Sequence, residues 1–509
     1  MADSKTDPIT VLPMDIHNQK LVANTHPAGW TNPTPATRYN LVVIGAGPAG
    51  LVAASGAAGL GAKVALVEKS LLGGDCLNLG CVPSKCLIQS AREAEVLREA
   101  VQSHTKSPKN VPIDFPAVME RMRRLRAHIS QHDSVQALSE LNIDVFLGEG
   151  RFSSPRTVAV DNNTLAFKKA VVATGTRPAH PQIKGLLEAG FLTNETIFSL
   201  TKLPTRLAVI GGGPIGCELA QSFKRLGSQV TLIEIAPQLL PMEDSEAAAL
   251  LTEQFVSEGI DVKLATNTLR VVPSDGQKIL YLKSQDIECQ LPVDEILVGV
   301  GRSPNINNLN LAIARIRHNR QGIQVNDYLQ TTNPQIYAAG DVCMKQHFTH
   351  AADASARIVI QNALFPGLKK RLSSLTIPWC TYTDPEIARV GISEQDIHKE
   401  GNRITILTRS LSEVDRGIIN GDKGFVKILA KRGSDQILGG TIVSKHAGEM
   451  ISEISLAMTA GIGLKTISRV IHPYPTLTEA IKQIGDAYNR TRLTPFLKKI
   501  MSMWFQWVR

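Results

Sequence analysis

At 509 residues the chain exceeds what one hydrophobic core supports, so roughly two to four domains are expected. Hydrophobic residues at 43% and charged residues at 20% argue against a disordered chain, and no uninterrupted apolar run of about 18 residues argues for a membrane span. The net charge of +9 is dispersed: MRRLR (122–126) and LKKR (368–371) are the densest patches and read as solvated helix faces, so no nucleic-acid partner is expected.

Residues 1–38 are polar, carry several prolines and lack periodicity, and read as a flexible or surface-draped extension. Their start has no basic stretch followed by an apolar one, so a cytoplasmic location is expected. Seven cysteines form no disulfide framework, and their odd number suits a reducing compartment, where a disulfide is more often catalytic than structural.

The pattern changes at Tyr39. NLVVIGAGPAGLVAASGAAGLGAKVALVEKS reads as strand, Gly-rich turn, helix and strand, with Gly45, Gly47 and Gly50 in G-x-G-x-x-G spacing and Glu68 closing the second strand. The segment GGDCLNLGCVPSKCLIQS follows. Pro83 there marks a helix start. Lys85 falls four residues after Cys81, on the same helix face. Cys86 would point about 140° away from Cys81 and reads as a packing cysteine.

The strand–turn–helix–strand unit recurs at Leu207 with Gly211, Gly213, Gly216 and Glu234. In both copies the glutamate stands 23 residues after the first glycine. In such a unit the first glycine permits the turn and the second lets a pyrophosphate approach the backbone. The third lets helix and strand pack. The helix N-terminus receives the phosphates and the acid receives an adenosine ribose. Two units imply two dinucleotides, hence two Rossmann-like domains in a doubly wound α/β architecture. Glu234 accepts a free 2′-hydroxyl and repels a 2′-phosphate, and Ile235-Ala236-Pro237 brings no arginine. NADH is therefore expected over NADPH, with NADPH possible.

Farther on, Thr331–Val342 reads as a strand ending in Gly340-Asp341. From about Ile377 strands alternate with helices as a separate α+β domain. The tail TPFLKKIMSMWFQWVR places Leu497, Ile500, Met501, Trp504, Phe505 and Val508 at helical spacing, with Lys498, Lys499 and Arg509 flanking them. It reads as a helix docked on a dimer or on the protein's own surface, with weak membrane-surface contact as the alternative.

GG-x-C-x-N-x-GC-[VI]-P-[ST]-K around Cys76 and Cys81 closely resembles the flavin-dependent pyridine nucleotide–disulfide oxidoreductases (class I). Ala173-Thr174-Gly175, Gly301-Arg302-Ser303-Pro304-Asn305 and Ala338-Ala339-Gly340-Asp341 extend the resemblance from about Tyr39 to Arg492. It implies FAD on the first unit, a nicotinamide nucleotide on the second, and a C-terminal α+β domain forming a homodimer that completes each active site. The implied division is an extension (1–38), FAD-binding parts (39–200 and 306–375), an NAD(P)-binding domain (201–305), a dimerisation domain (376–492) and an amphipathic tail (493–509). By the same resemblance Cys76 and Cys81 form the redox disulfide, with Cys81 the thiolate next to the flavin and Cys76 the interchange thiol. Lys85 pairs with Glu218 beside the flavin, Gly175 and Gly301 lie at the nucleotides, and Asp341 holds the ribityl chain. A helix dipole supplies at most about 2 kcal/mol, short of the roughly 2.7 kcal/mol needed to lower a thiol by about two pKa units. Lys85 or the flavin face must supply the rest.

One motif departs. Lipoamide dehydrogenase and glutathione reductase carry a His five residues before a Glu as acid–base. Five residues before Glu479 this chain has Tyr474, with His472 two residues earlier. Tyrosine, with its pKa of about 10, is a poor general base at neutral pH, and mercuric reductases likewise have Tyr there. Yet no cysteine follows Cys380, so the vicinal C-terminal pair of mercuric reductases is missing. The expectation is a mercuric reductase-like flavoenzyme, with no resident metal, whose acceptor is a soft metal ion such as Hg(II) or a disulfide. The alternatives are a dihydrolipoamide dehydrogenase using His472 as base, and a low-turnover flavin-binding redox sensor.

Overall fold

The computed structural model describes residues 9–104, 112–274, 276–394, 396 and 403–509. They divide into two compact units, Met1–Ile235 with Thr266–Leu375, and Ala236–Ala265 with Thr376–Arg509.

In the first unit a helix, α1 (Ile16–Thr25), precedes β1 (Tyr39–Ile44), α2 (Pro48–Gly59) and β2 (Val64–Glu68). After α3 (Gly74–Asn78), α4 (Cys81–His104) and α5 (Phe115–Ile129) come β3 (Ile143–Leu147), β4 (Arg151–Ser154), β5 (Thr157–Val160) and β6 (Asn163–Val172). The sheet runs β3–β2–β1–β6–β5–β4. β1, β2, β3 and the second half of β6 are parallel, whereas the first half of β6 turns back antiparallel to β5. Leu41 and Val43 of β1 enter one core and Val42 and Ile44 the other, so both faces are covered, as a parallel sheet requires. The small side chains of α2 (Ala49, Ala53, Ala57) belong to the first of these cores.

The second nucleotide unit repeats the design with β7 (Arg206–Ile210), α6 (Pro214–Leu226) and β8 (Gln229–Ile233). An antiparallel meander follows, β9 (Thr266–Ser274), β10 (Gln277–Ser284) and β11 (Ile287–Val293), and then β12 (Glu295–Val298), which lies parallel to β7. The chain then returns to the first sheet through β13 (Ile336–Ala338), parallel to β6, and α7 (Thr349–Leu364). Of the strand expected over 331–342, only 336–338 is extended and paired, and Gly340–Val342 form a single 3-10 turn.

The other unit is α+β. Its five-stranded antiparallel sheet comprises β14 (Trp379–Thr381), β15 (Glu386–Gly391), β16 (Ile404–Ser410), β17 (Phe425–Lys431) and β18 (Ile437–Ser444), in the order β14–β15–β18–β17–β16. Its helices include α8 (Asp415–Asn420), α9 (Ala447–Thr459), α10 (Glu479–Thr491) and α11 (Pro495–Trp507). Val426, Ile428 and Ile442 bury against Ile451 and Ile454 of α9 and Ile481 and Ile484 of α10. The α/β architecture with an α+β domain matches the expectation.

Three expectations are corrected. Residues 9–38 are not a flexible extension. Asp15 caps α1 by accepting from the Asn18 amide at 2.8 Å, and Asn18, Leu21 and Thr25 are buried. Nor is MRRLR a solvated face. Arg123 pairs with Asp15, while Arg126, only 2% exposed, donates to the Asn18 side chain (2.7 Å) and the Asn78 carbonyl (2.6 Å). Two arginines consumed by one capped helix explain both errors, since neither partner has a sequence signature. Finally, α11 does not dock on the described residues of its own chain: every one of its side chains is exposed.

Candidate active site

The sequence shapes the first nucleotide loop through glycine. Gly45 has φ +100°, and a Cβ there would lie 2.5 Å from the Ala173 carbonyl oxygen; a Cβ on Gly50 would collide with the Gly45 carbonyl. Gly47 caps α2, Pro48 opens it, and the space where a Gly47 side chain would stand is free to 3.9 Å. Glu68 accepts from the amides of Ala46 (2.7 Å) and Ser70 (2.8 Å), and burial raises its carboxyl.

The second loop is built alike. Gly211 has φ +110°, a Cβ on Gly216 would collide with the Gly211 carbonyl, and the space beyond Gly213 is open. Buried Glu234 accepts from the Gly212 amide at 2.5 Å. Two open helix N-termini, each beside a carboxylate, fit two pyrophosphate-bearing nucleotides. Gly175 (φ +64°) and Gly301 (φ +116°) likewise face open space.

Cys76 lies on α3 and Cys81 opens α4, both as free thiols. They lie within hydrogen-bonding reach of each other. That bond, then burial, pushes the Cys76 thiol well up. The same bond draws Cys81 down to about 6, helped by Thr349 and Lys85 and opposed by burial and Glu218. Thr349 Oγ1 is 3.4 Å from Cys81 Sγ. The ammonium of Lys85 donates to Glu218 Oε2 at 2.8 Å, and Glu218 is buried. Cys86 has its thiol raised by burial, opposed by Arg121 and Arg126.

A polar relay fixes the loop between the cysteines. The guanidinium of Arg302 pairs with Asp75 and donates to Thr176 Oγ1 at 2.7 Å, and Thr176 in turn donates to Asp341 at 3.2 Å. Asn194 donates to Asp75 (3.1 Å) and to the Leu79 carbonyl (3.2 Å). Burial raises the Asp341 carboxyl. Arg126 holds the Asn78 carbonyl from the other side. Thr349, Thr176 and Asn194 were not singled out in the sequence, and Arg126 only as part of the MRRLR patch. Three lie more than 90 residues from the cysteines and Arg126 more than 40, with no motif to mark them.

His472, Tyr474 and Glu479 belong to the second unit. Both ring nitrogens of His472 face acceptors, Glu453 Oε1 at 3.0 Å and the Val470 carbonyl at 3.2 Å, and its side chain is 6% exposed. Tyr474, 71% exposed, donates its hydroxyl to Asp415 Oδ2 at 2.6 Å, and that carboxylate raises the phenol further. Glu479 opens α10 and accepts from Gln483 at 3.4 Å. The histidine and the tyrosine thus serve separate carboxylates.

The fold and the thiol pair define a flavin-dependent disulfide oxidoreductase that uses FAD and NAD(P)H. Residues 39–357 match the pyridine nucleotide-disulphide oxidoreductase profile and 377–484 its dimerisation domain, and the chain belongs to this family. It is 33% identical over 456 residues to mercuric reductase of Lysinibacillus sphaericus, covering 89% of this chain and 83% of that one. It is also 33% identical over 465 residues to dihydrolipoyl dehydrogenase of Thermus scotoductus, covering 89% and 98%. Among solved structures it is similar to the HOCl-induced flavoprotein disulfide reductase RclA from Escherichia coli (TM-score 0.77, 28% identity, 88% and 99% covered). The Cu(II) complex of a mutant of that reductase gives a TM-score of 0.79 at 26% identity, covering 88% and 99%.

Proposed function

We propose that the protein uses NADH to reduce the Cys76–Cys81 disulfide and passes the two electrons to a soft metal ion such as Hg(II), or more slowly to a disulfide. FAD, when bound, supplies the two-electron relay between the nicotinamide and the cysteine pair. The loop of Gly45, Gly47 and Gly50 with Asp341 would hold it, and Gly211, Gly213, Gly216 and Glu234 would hold NADH. Lys85, fixed by Glu218, keeps a positive charge beside Cys81, and with Thr349 and Cys76 it maintains that sulfur as a thiolate at neutral pH. Cys76 retains its proton and meets the acceptor. With mercury the balance is NADH plus Hg(II) giving NAD+, Hg(0) and one proton. The family's dimerisation domain supports a homodimer.

One observation carries the preference for a metal acceptor. The Tyr474 phenol gives its proton to Asp415 in a hydrogen bond and is raised, so it takes no proton from a dithiol at neutral pH. A metal ion needs no such base. A neighbour solved as a Cu(II) complex supports metal contact on this fold. The lipoamide reading draws on the dihydrolipoyl dehydrogenase relative, but it would require His472 to act as base, and both of that ring's nitrogens already face acceptors. NADH oxidation with Hg(II), Cu(II), lipoamide and glutathione disulfide, measured side by side on holoenzyme, tests this. Hg(II) should be the fastest acceptor. Lipoamide turnover matching or exceeding it would overturn the reading, and no acceptor turnover despite flavin reduction would leave a sensor.

A further inference from the structure

Helix α11 (Pro495–Trp507) is separated from α10 by Arg492–Thr494, and Thr494 caps it by accepting from the Leu497 amide at 3.2 Å. At 100° per residue, Met503, Phe496, Trp507, Ile500, Trp504, Leu497, Val508, Met501 and Phe505 fall on a single arc of about 200°. Lys498, Lys499, Ser502, Gln506 and Arg509 fill the opposite arc, with Pro495 its one apolar member. Every side chain of the apolar arc is exposed, from 40% at Leu497 to 77% at Trp507.

A helix seated on protein shows an apolar stripe a little over about 100° wide. This arc is nearly double that, so a groove would leave its flanks, Met503 and Phe505, in water, whereas an acyl layer wraps them. The composition agrees. Two of the four tryptophans of the chain lie within these last residues, and aromatic side chains are favoured at the headgroup boundary. Every ionisable side chain after Tyr488 is a base: Arg490, Arg492, Lys498, Lys499 and Arg509. At 13 residues the helix is about 20 Å long, too short to span a bilayer of about 30 Å, and among the described residues no helix is long and apolar enough to cross one.

We infer that α11 is an interfacial anchor that lays its Trp/Phe-rich face into the headgroup–acyl boundary of an anionic membrane and turns Lys498 and Lys499 toward the phosphates. The occupant is a lipid surface because the charge is uniformly basic and the arc too wide for a protein groove.

Full-length holoenzyme is sedimented with vesicles of phosphatidylcholine containing about 30% phosphatidylglycerol, and with pure phosphatidylcholine vesicles. The wild type should pellet with the anionic vesicles, with a blue shift of tryptophan emission, and less so in high salt. Lys498→Gln/Lys499→Gln should weaken partitioning on the order of thirtyfold, and Trp504→Glu should abolish it. Both variants should keep wild-type flavin absorbance and NADH oxidation without lipid, which separates lost binding from misfolding and from failure of the proposed redox function. No pelleting of the wild type, or equal pelleting of Trp504→Glu, overturns the inference. So does a Trp504→Glu variant that loses its dimer in the absence of any lipid binding, because the helix would then be a contact between copies of the chain.

Discussion

Replacing Cys76 by alanine should raise the Cys81 thiol and weaken it as a nucleophile at neutral pH. In the dithiol form the hydrogen bond from Cys76 is the largest influence lowering Cys81, from the usual 9.0 to about 6, ahead of Thr349 and Lys85. A hydrogen bond to an ion contributes about 1.5–3 kcal/mol, or about one to two pKa units at about 1.36 kcal/mol each. Although protein packs around its sulfur, Cys81 stands open to solvent, so water screens part of this, and the lower figure of about one unit is the appropriate one. The midpoint should therefore move from about 6 to about 7, leaving roughly fivefold less thiolate at about pH 6. Since the pKa of Cys81 is depressed, its reactivity is present above the midpoint and lost as pH falls through it. The assay is iodoacetamide alkylation of the reduced holoenzyme from about pH 4 to about pH 10, quantified at Cys81 by mass spectrometry. Cys76→Ser keeps a hydroxyl donor and should stay near the wild-type midpoint. A Cys76→Ala midpoint equal to that of the wild type would show that the thiolate is not held by its neighbour, and the reasoning would fail.

Gly216→Ala drives a methyl group into the Gly211 carbonyl and should abolish flavin reduction by NADH while leaving the protein yellow, whereas Gly50→Ala should lose flavin; absorbance spectra distinguish the two. NADH should exceed NADPH in kcat/KM by at least about tenfold. Glu234→Ala should narrow that ratio by on the order of tenfold, because a carboxylate facing a 2′-phosphate opposes it by about 1 kcal/mol or more; equal ratios in both proteins contradict the assignment. Tyr474→His puts a base with a pKa of about 6.5 five residues before Glu479 and should raise lipoamide turnover about tenfold or more, with little gain for Hg(II). A larger gain for the metal would reverse the role given to Tyr474.

The sequence was most legible where chemistry demands glycine or a fixed spacing. Gly45, Gly50, Gly211 and Gly216 each sit where a Cβ would strike a carbonyl, so the two nucleotide loops could be found from letters alone. The i+4 spacing of Cys81 and Lys85 pointed to one helix face. Contacts between distant segments were not legible. Thr349 meets Cys81 across 268 residues, and Arg302 meets Asp75 across 227. The N-terminal helix escaped notice because its buried face is only Asn18, Leu21 and Thr25, and two of these are polar. Asn18 satisfies Arg126, whose neighbours in sequence are those of a surface charge patch.

An anaerobic NADH titration of the purified holoenzyme, oxidised beforehand, followed by thiol counting at identified cysteines, tests the central claim most directly. Two new thiols per subunit should appear, at Cys76 and Cys81, and Hg(II) should discharge the stored electrons as Hg(0). A flavin that bleaches with NADH while those two cysteines gain no thiol would contradict it.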